Sequence, residues 1–519
     1  MRYYPMRPLF TLSLILTLCV NIFFANAITP CYEKLSLKEV NLSEDEIDDI
    51  VNEALKTFNV PGASISLVFK DQTLFSKGYG LRDMVTKLPV TEHTLFPIAS
   101  CTKAFTATLL AQLVDEGKVA FDDPVKKYIP EFYLVDDERT ELLTIRDLIA
   151  HRTGMARHDP IWYFSDLAKD RLLEILKNLE PACNLRENFQ YNNLMYTVAA
   201  MVAEKVTGES WEALISSRLL NPLKMENSTT SLEILKEKSD FSSPHAELYG
   251  VLSEIPFRDP AVASPGGGLI SNAIEMANWL KVQLGEGLFG KEAIINPHTL
   301  KEMHVEQMPL SSPVFNEHIT GYGLGWFLGN YRNHDLICHS GEIDGFSSDV
   351  ALLAQKKIGL VILANSSSDG RYLVSAIRNQ IFDKIINAYD INWKSKFYAM
   401  KNKVKRHQWD NLELLAKCWN TPCLEPLEIF NGSYNHPAYG TLEVKIEDNM
   451  LLAFFGKLAT PLFYKEENVF LGLCPELLIY GASPIIEFKF NRDVNGLIDT
   501  FDVPFEGFRC AKPITFRRS

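Results

Sequence analysis

The placement of β-rich segments along the chain constrains its fold most. Residues 62–69 and 73–79 have the pattern of a hairpin, and a β pattern resumes at 321–328, continues through 336–339 and ends with 349–354 and 358–364. Helical patterns, including 100–116, 144–150 and 196–206, lie between these stretches, and another at 371–388 follows them. This order predicts an α+β fold: an antiparallel sheet built from both ends of a domain, flanked by helices and interrupted by a helical insertion.

The full chain of 519 residues exceeds the usual size of one domain. We expect a main domain over 28–390 and a charged, lysine-rich helical linker over 391–425. Short alternating β segments at 440–446, 450–455, 468–471 and 485–490 then predict a small all-β, barrel-like domain over 426–519.

The first 27 residues have the pattern of a signal peptide. Arg2 and Arg7 precede an apolar run over 9–24, and Ala25-Asn26-Ala27 offers a cleavage site. We expect cleavage after Ala27 and a secreted or periplasmic protein. The alternative is an uncleaved membrane anchor, because the apolar run is nearly long enough to span a bilayer.

Charge and cysteine usage limit the partners. Removal of the signal leaves 50 basic against 65 acidic residues, a net charge of −15, which disfavours nucleic acid and membrane surfaces. A small molecule or a peptide is the expected substrate, and membrane association is not expected after cleavage. None of the nine cysteines has zinc-site spacing, so no metal or other cofactor is expected. Cys101 and Cys338 lie in apolar or motif segments and are expected to be buried free thiols.

A candidate nucleophile lies at the start of the helical pattern at 100–116. In Ser100-Cys101-Thr102-Lys103, residues three apart share a helix face, so the Lys103 amine can reach the Ser100 hydroxyl. The positive end of the helix dipole favours a developing oxyanion nearby. Taken alone, this tetrapeptide is near chance, and a serine at a helix start is usually only a cap.

Two motifs that follow later in the chain strengthen the interpretation of Ser100 as a nucleophile. Tyr191-Asn192-Asn193 precedes an apolar helix; Tyr191 could shuttle the serine proton if cationic neighbours lower its pKa, and Asn193 could fix Lys103 and a substrate carbonyl. A second Tyr-x-Asn triplet at 331–333 falls too close to the next motif to serve. That motif is His339-Ser340-Gly341, where a strand edge could place His339 beside the substrate and a backbone N–H near the acyl oxygen.

These motifs resemble those of the class C β-lactamases and serine penicillin-binding proteins, whose sites combine S-x-x-K, Y-x-N and a K-T-G or H-x-G strand. The segments at 148–154, 222–225, 264–269, 321–326 and 344–347 also fit, so the resemblance covers about residues 45–390. Residues 431–444 are similar to part of a lipocalin-like β domain appended to some of these hydrolases.

The resemblance implies an acyl-enzyme mechanism without metal. Ser100 attacks a carbonyl, Lys103 and Tyr191 handle its proton, and the N–H groups of Ser100 and Glu342 form the oxyanion hole, with Gly341 permitting close approach. Water then releases the acyl group.

The histidine of the third motif narrows the expected substrate. Most β-lactamases and D-alanyl carboxypeptidases hold a substrate carboxylate with a strand lysine, whereas His339 is mostly neutral at pH 7. Family members with H-x-G look more like esterases and D-amino-acid peptidases, so an ester, amide or D-peptide hydrolase is favoured. The alternatives are a β-lactamase or D-alanyl-D-alanine carboxypeptidase, and a catalytically silent binding or assembly protein on the same scaffold.

Overall fold

The computed structural model describes residues 1, 35–310, 319–480, 482–505 and 512–519. The predicted signal peptide therefore lies, apart from Met1, outside the described residues, as do Cys19, Cys31 and Cys510. The six described cysteines carry free thiols, and Cys101 and Cys338 are buried as expected. Within the described ranges, no helix is long and apolar enough to cross a membrane.

The main part of the chain is built on a large antiparallel sheet with helices on both faces. Its strands, with three small two-stranded pairs, are β1 Gly62–Phe69, β2 Gln72–Gly80, β3 Phe96–Pro97, β4 His245–Leu248, β5 Val251–Glu254, β6 Ile270–Ser271, β7 Leu288–Phe289, β8 Glu292–Ala293, β9 Met308–Pro309, β10 Ile319–Tyr322, β11 Phe327–Tyr331, β12 His334–Ile343, β13 Phe346–Leu353 and β14 Ile358–Ala364. The eight-stranded sheet has the order β2-β1-β14-β13-β12-β11-β10-β9. Residues from both ends of the domain thus meet in this sheet, where β1 pairs with β14, and the predicted fold class is confirmed.

The helices of the main part fill the insertion and cover the sheet. They are α1 Glu44–Phe58, α2 Thr102–Asp115, α3 Asp137–Leu142, α4 Ile145–Ile149, α5 Asp159–Tyr163, α6 Leu172–Leu176, α7 Asn193–Thr207, α8 Trp211–Ile215, α9 Leu232–Glu237, α10 Ser264–Gly267, α11 Ala273–Leu284, α12 Pro297–Met303 and α13 Asp369–Ile385. Helices α1 and α13 bury their apolar sides on one face of the sheet, and α2, α7 and α11 belong to the core on the other.

Helix α1 illustrates how local sequence fixes an element. The Ser43 hydroxyl caps the first turn by accepting from the Glu46 N–H, and the Glu46 carboxylate accepts from the Ser43 N–H. This reciprocal pair is a capping box. The buried positions then recur three or four residues apart, as an amphipathic helix requires: Ile47, Ile50, Val51, Ala54, Leu55 and Phe58. The helix therefore covers the sheet with one apolar stripe.

A long helix, α14 Trp393–Cys418, leads to a second unit. This unit is a closed antiparallel barrel of β15 Gly432–His436, β16 Gly440–Glu447, β17 Met450–Phe455, β18 Leu458–Glu466, β19 Val469–Leu473, β20 Ile485–Arg492, β21 Ile498–Val503 and β22 Ile514–Arg518. Each strand pairs with the next, and β15 closes on β22. Aromatic side chains, including Phe470, Phe490, Phe501 and Phe516, are buried in its core. The expected C-terminal β barrel is present.

Candidate active site

Ser100 lies in a tight turn between β3 and α2. Residues Ala99–Cys101 form a single 3₁₀ turn, and α2 begins at Thr102, so Ser100 precedes the α-helix rather than opening it. Ala99 has φ 47°, a left-handed conformation that is unfavourable for alanine. This backbone sets Ser100 at the start of α2, with Lys103 in its first turn.

Lys103 and Tyr191 both reach the Ser100 hydroxyl. The Tyr191 hydroxyl donates to Ser100 Oγ at 2.8 Å, and Lys103 Nζ lies 3.2 Å from the same oxygen. Lys103 Nζ also donates to Asn193 Oδ1 and to the Gly266 carbonyl, each at 2.7 Å. The first two sequence motifs therefore meet at the Ser100 hydroxyl.

Burial sets the proton state of this group. Lys103 is fully buried, and desolvation lowers its pKa well below its ordinary value; the Arg157 charge lowers the pKa further, whereas Asp159 opposes this effect. A neutral amine has two N–H donors and one lone pair. With both donors used by Asn193 and Gly266, the lone pair is left for the Ser100 proton.

Tyr191 does not meet the condition that cationic neighbours lower its pKa below the ordinary value. Burial raises this pKa, and the opposing effect of Arg157 is smaller. The guanidinium carbon of Arg157 lies 5.1 Å from the phenol ring centre. Tyr191 therefore retains its proton at neutral pH and acts as a hydrogen-bond donor to Ser100.

Three side chains that the sequence analysis missed complete this network. Asn193 Nδ2 donates to both oxygens of Asp159, at 2.9 and 3.2 Å. Asp159 also accepts from Trp162 Nε1 at 2.7 Å and from Arg157. The only local signal is Asp159-Pro160, which is typical of a helix start but gives no indication of proximity to Ser100.

His339 is not among the residues that line the cleft, and its ring centre lies 6.4 Å from that of Tyr191. It is buried, and its Nδ1 lies 2.7 Å from the Ser340 carbonyl, which requires a proton on Nδ1. Its Nε2 therefore accepts from the Tyr322 hydroxyl, at 3.0 Å. Burial and the nearby Lys103 lower the pKa of His339 to about 3, so the ring is neutral. Both the expected position of His339 beside the substrate and its catalytic role stay predictions.

Strand β12 approaches the Ser100 turn closely at Gly341. A Cβ atom at this position would clash with the Ile98 carbonyl oxygen and would lie only 3.0 Å from the Ser100 nitrogen. The Ser348 hydroxyl, on the neighbouring strand, donates to the same Ile98 carbonyl at 2.7 Å. Glycine thus lets the β12 backbone run beside the Ser100 N–H, the arrangement that an oxyanion hole requires.

A cleft of about 380 Å³, open to solvent, lies over Ser100. Its lining residues are Ala99, Ser100, Arg157, Asp159, Trp162, Asn193, Pro260, Ala263, Gly266, Gly267, Glu342 and Ile343. The charged side chains among them are paired: Arg157 with Asp159, and Glu342 with Arg371 at 2.7 Å. The Glu342 carboxylate also accepts from the Ser368 N–H. Each charged side chain in this lining therefore has an oppositely charged partner within the protein.

The fold and the Ser100 group define a class of serine hydrolase-like proteins related to β-lactamases. The family model described as Beta-lactamase matches residues 47–381, and the chain belongs to this family. The chain is 28% identical over 486 residues to "Unguisins hydrolase ungD'" of Aspergillus campestris, an alignment that spans 87% of this chain and 88% of that protein. It is 30% identical over 338 residues to "Protein flp" of Staphylococcus aureus, covering 63% of this chain and 64% of that protein.

Solved structures share the fold. The octameric penicillin-binding protein homologue from Pyrococcus abyssi superposes with a TM-score of 0.61 at 23% identity, over 92% of this chain and 100% of that one. The D-amino acid amidase from Ochrobactrum anthropi SV3 superposes with a TM-score of 0.57 at 22% identity, over 66% of this chain and 98% of that one. At such identities these likenesses concern the fold alone.

Proposed function

We propose that this protein is an exported serine hydrolase that forms an acyl-enzyme on Ser100 and hydrolyses ester, amide or D-amino-acid peptide bonds. The observation that carries the proposal is the pair of contacts on Ser100 Oγ, with Tyr191 at 2.8 Å and Lys103 at 3.2 Å. A neutral amine and a protonated phenol on one serine oxygen supply a base and an acid for acyl transfer.

The first half-reaction follows from these proton states. Lys103 takes the Ser100 proton as Oγ bonds to the substrate carbonyl carbon, and the carbonyl oxygen becomes an oxyanion held by the Ser100 N–H and the backbone at Gly341 and Glu342. The intermediate then collapses: the bond to the leaving alcohol or amine breaks, and Tyr191 protonates that group. The Lys103 ammonium returns a proton to Tyr191, which leaves a neutral base beside the ester of Ser100.

The second half-reaction uses water in place of the serine. Lys103 accepts a proton from the water as its oxygen bonds to the acyl carbon. The bond from that carbon to Ser100 Oγ then breaks, and the proton passes to Oγ. The products are a carboxylic acid and the original serine.

Two observations favour esters, amides and D-peptides over the β-lactamase or D-alanyl-D-alanine carboxypeptidase alternative. The His339 ring is neutral, and the cleft charges at Arg157, Asp159 and Glu342 are paired within the protein. A substrate carboxylate would therefore find weak anchoring. The relative named "Unguisins hydrolase ungD'" is consistent with hydrolysis as the class of reaction.

The test of function is the turnover of a p-nitrophenyl ester by Ser100→Ala. Because this change removes the proposed nucleophile, we expect loss of turnover by about 10³-fold or more. Ser395→Ala, at an exposed position on α14, is the matched control and should keep full activity. Unchanged turnover by Ser100→Ala would contradict the assignment. If the unmodified protein hydrolyses no ester, β-lactam or D-peptide, the alternative of a catalytically silent binding or assembly protein is favoured.

Export is proposed on the signal-peptide pattern at residues 1–27. The protein recovered from the medium or periplasm should have Ile28 as its N-terminal residue, which N-terminal sequencing would detect. Recovery of the chain in the membrane fraction with its N-terminus intact would instead indicate the uncleaved anchor.

A further inference from the structure

One segment of the main domain contributes to the cleft and also contacts the C-terminal barrel. This cleft segment, residues 157–166, contains α5 and supplies Arg157, Asp159 and Trp162 to the cleft lining. It begins where His158 adopts φ 51°, a left-handed conformation, and its helix has only five residues. A helix this short is not stable by itself, so its position depends on what packs against it.

Polar contacts tie the cleft segment to the barrel. His158 Nδ1 lies 2.9 Å from the Tyr439 hydroxyl, and both residues are buried. The Lys457 backbone N–H donates to the Phe164 carbonyl at 2.6 Å, and the Lys457 ammonium pairs with Asp166. The barrel therefore holds this segment near its start and again at its end.

Apolar packing makes the same connection. Trp162 and Phe164 belong to one continuous buried cluster with Tyr439, Phe455 and Leu458 of the barrel. Gly456, between the last two, has φ 54°, and a Cβ atom there would clash with the Phe164 carbonyl oxygen. The barrel and the cleft segment thus pack so closely at Gly456 that a methyl group at this position has no room.

The opposite side of the cleft segment connects to the catalytic group. Asp159, the residue after His158, accepts from Asn193, which in turn accepts from Lys103. Two hydrogen bonds therefore separate Lys103 from the segment that the barrel holds.

We infer that the C-terminal barrel is a positioning element of the hydrolase site: Tyr439, Gly456 and Lys457 hold the cleft segment so that its side chains line the cleft and Asp159 orients Asn193. The part of this inference that concerns catalysis rests on the proposed function. The part that concerns the ordering of the cleft segment by the barrel does not. Displacements of about 1 Å at such a site cost up to about 100-fold in rate.

The test compares two glycine-to-alanine changes in the barrel. Gly456→Ala introduces the clash with Phe164, whereas Gly496→Ala has the same kind of positive-φ backbone, φ 80°, with no atom within 4 Å of the new Cβ. Both therefore carry a backbone penalty, and only the first displaces the cleft segment. We expect amide hydrogen exchange in residues 157–166 to be at least about fivefold faster in Gly456→Ala than in Gly496→Ala.

Kinetics supply a readout that a loss of folded protein would not move. Rates are referred to the fraction labelled by a fluorophosphonate, on the p-nitrophenyl esters of acetate and of N-acetyl-D-phenylalanine. We expect KM for the larger ester to rise about tenfold in Gly456→Ala, with little change for the acetate. Gly496→Ala should match the unmodified protein on both esters.

Tyr439→Phe tests a second contact between the barrel and the cleft segment, and it introduces no steric clash. It removes the hydroxyl that meets His158, so exchange in the cleft segment should again quicken, by about fivefold. Equal exchange and equal KM values in all of these variants would overturn the positioning role. If the unmodified protein hydrolyses neither ester, the proposed function fails, whereas the exchange comparison still decides whether the barrel orders the cleft segment.

Discussion

At Ser100, burial gives two neighbouring side chains the proton states that acyl transfer needs. Lys103 loses the proton that a lysine ordinarily carries, because its ammonium form would be desolvated beside Arg157. Tyr191 retains its proton for the same physical reason, because burial disfavours the phenolate. Burial thus gives the Ser100 hydroxyl a neutral amine as a base and a protonated phenol as an acid.

The acid side of the pH profile should report the proton on Lys103. As pH falls through its lowered pKa, Lys103 is protonated and kcat/KM is lost; activity returns above that pKa. Arg157 lowers this pKa and Asp159 raises it. Arg157→Gln should therefore move the acid limb to higher pH and Asp159→Asn should move it to lower pH.

A distant charge removal is the control for that pair. Arg171→Gln, at an exposed ion pair with Glu174, should leave the limb in place. Shifts of the same sign in Arg157→Gln and Asp159→Asn would show that the limb reports another group.

Removal of the Tyr191 hydroxyl should slow the chemical step. Tyr191→Phe keeps the ring but loses the 2.8 Å contact with Ser100, so acylation should fall by about 10²- to 10⁴-fold in stopped-flow measurements. The matched control is Tyr331→Phe, in the second Tyr-x-Asn triplet, whose hydroxyl bonds Asp383 instead. Equal acylation rates in the two variants would exclude Tyr191 from proton transfer.

The sequence motifs predicted which residues meet at the site better than they predicted their electrostatics. Ser100, Lys103, Tyr191 and Asn193 are linked by a continuous series of hydrogen bonds, as their motif order suggested. The contribution of Asp159 could not be predicted, because its bond to Asn193 joins residues 34 apart that belong to two different helices, α5 and α7. The pKa of Tyr191 depends on enclosure by the whole fold, which a local triplet does not encode.

At the scale of elements, the contact between β12 and the Ser100 turn shapes the oxyanion hole. Gly341→Ala should push the strand away from the Ile98 carbonyl and the Ser100 N–H, and reduce kcat by about 10²- to 10³-fold. Gly267→Ala is the control: it lines the same cleft, and its new Cβ would lie 3.8 Å from the nearest atom. Full activity of Gly341→Ala would contradict an oxyanion hole at this strand.

The predicted β segments coincide with strands, but β12 extends beyond the predicted 336–339, and a turn interrupts another predicted segment. The sequence predicted one continuous β stretch over 321–328, but the chain turns after β10 and returns as β11. Gly325 has φ 82° in that turn, and a side chain there would press on Ala104 of α2. The turn is required by contact with a helix far away in sequence, which the alternating pattern cannot reveal.

At the scale of the whole molecule, a buried ion pair joins the sheet to the helix that covers it. Arg378 of α13 donates to Asp349 of β13 at 2.7 Å, and both side chains are almost fully buried. Burial lowers the pKa of Arg378 to about 9 and raises the pKa of Asp349. Arg378→Met should lower the free energy of unfolding in urea by about 3–5 kcal/mol, because it leaves a carboxyl group buried without its partner.

A double replacement separates the charge effect from the packing effect. Arg378→Met with Asp349→Leu should recover most of the loss, because no unpaired charge is then buried. Arg171→Met, at the exposed pair with Glu174, should cost less than about 1 kcal/mol. A loss as small in Arg378→Met as in Arg171→Met would contradict the importance of the buried pair.

The most direct test of the acyl-enzyme account is intact-mass and peptide mass spectrometry after brief exposure to β-lactams, activated esters and D-peptide esters. The account predicts one acyl group per molecule, on the peptide that contains Ser100, and no adduct on Ser100→Ala. An adduct on another residue, or an equal adduct on Ser100→Ala, would contradict it.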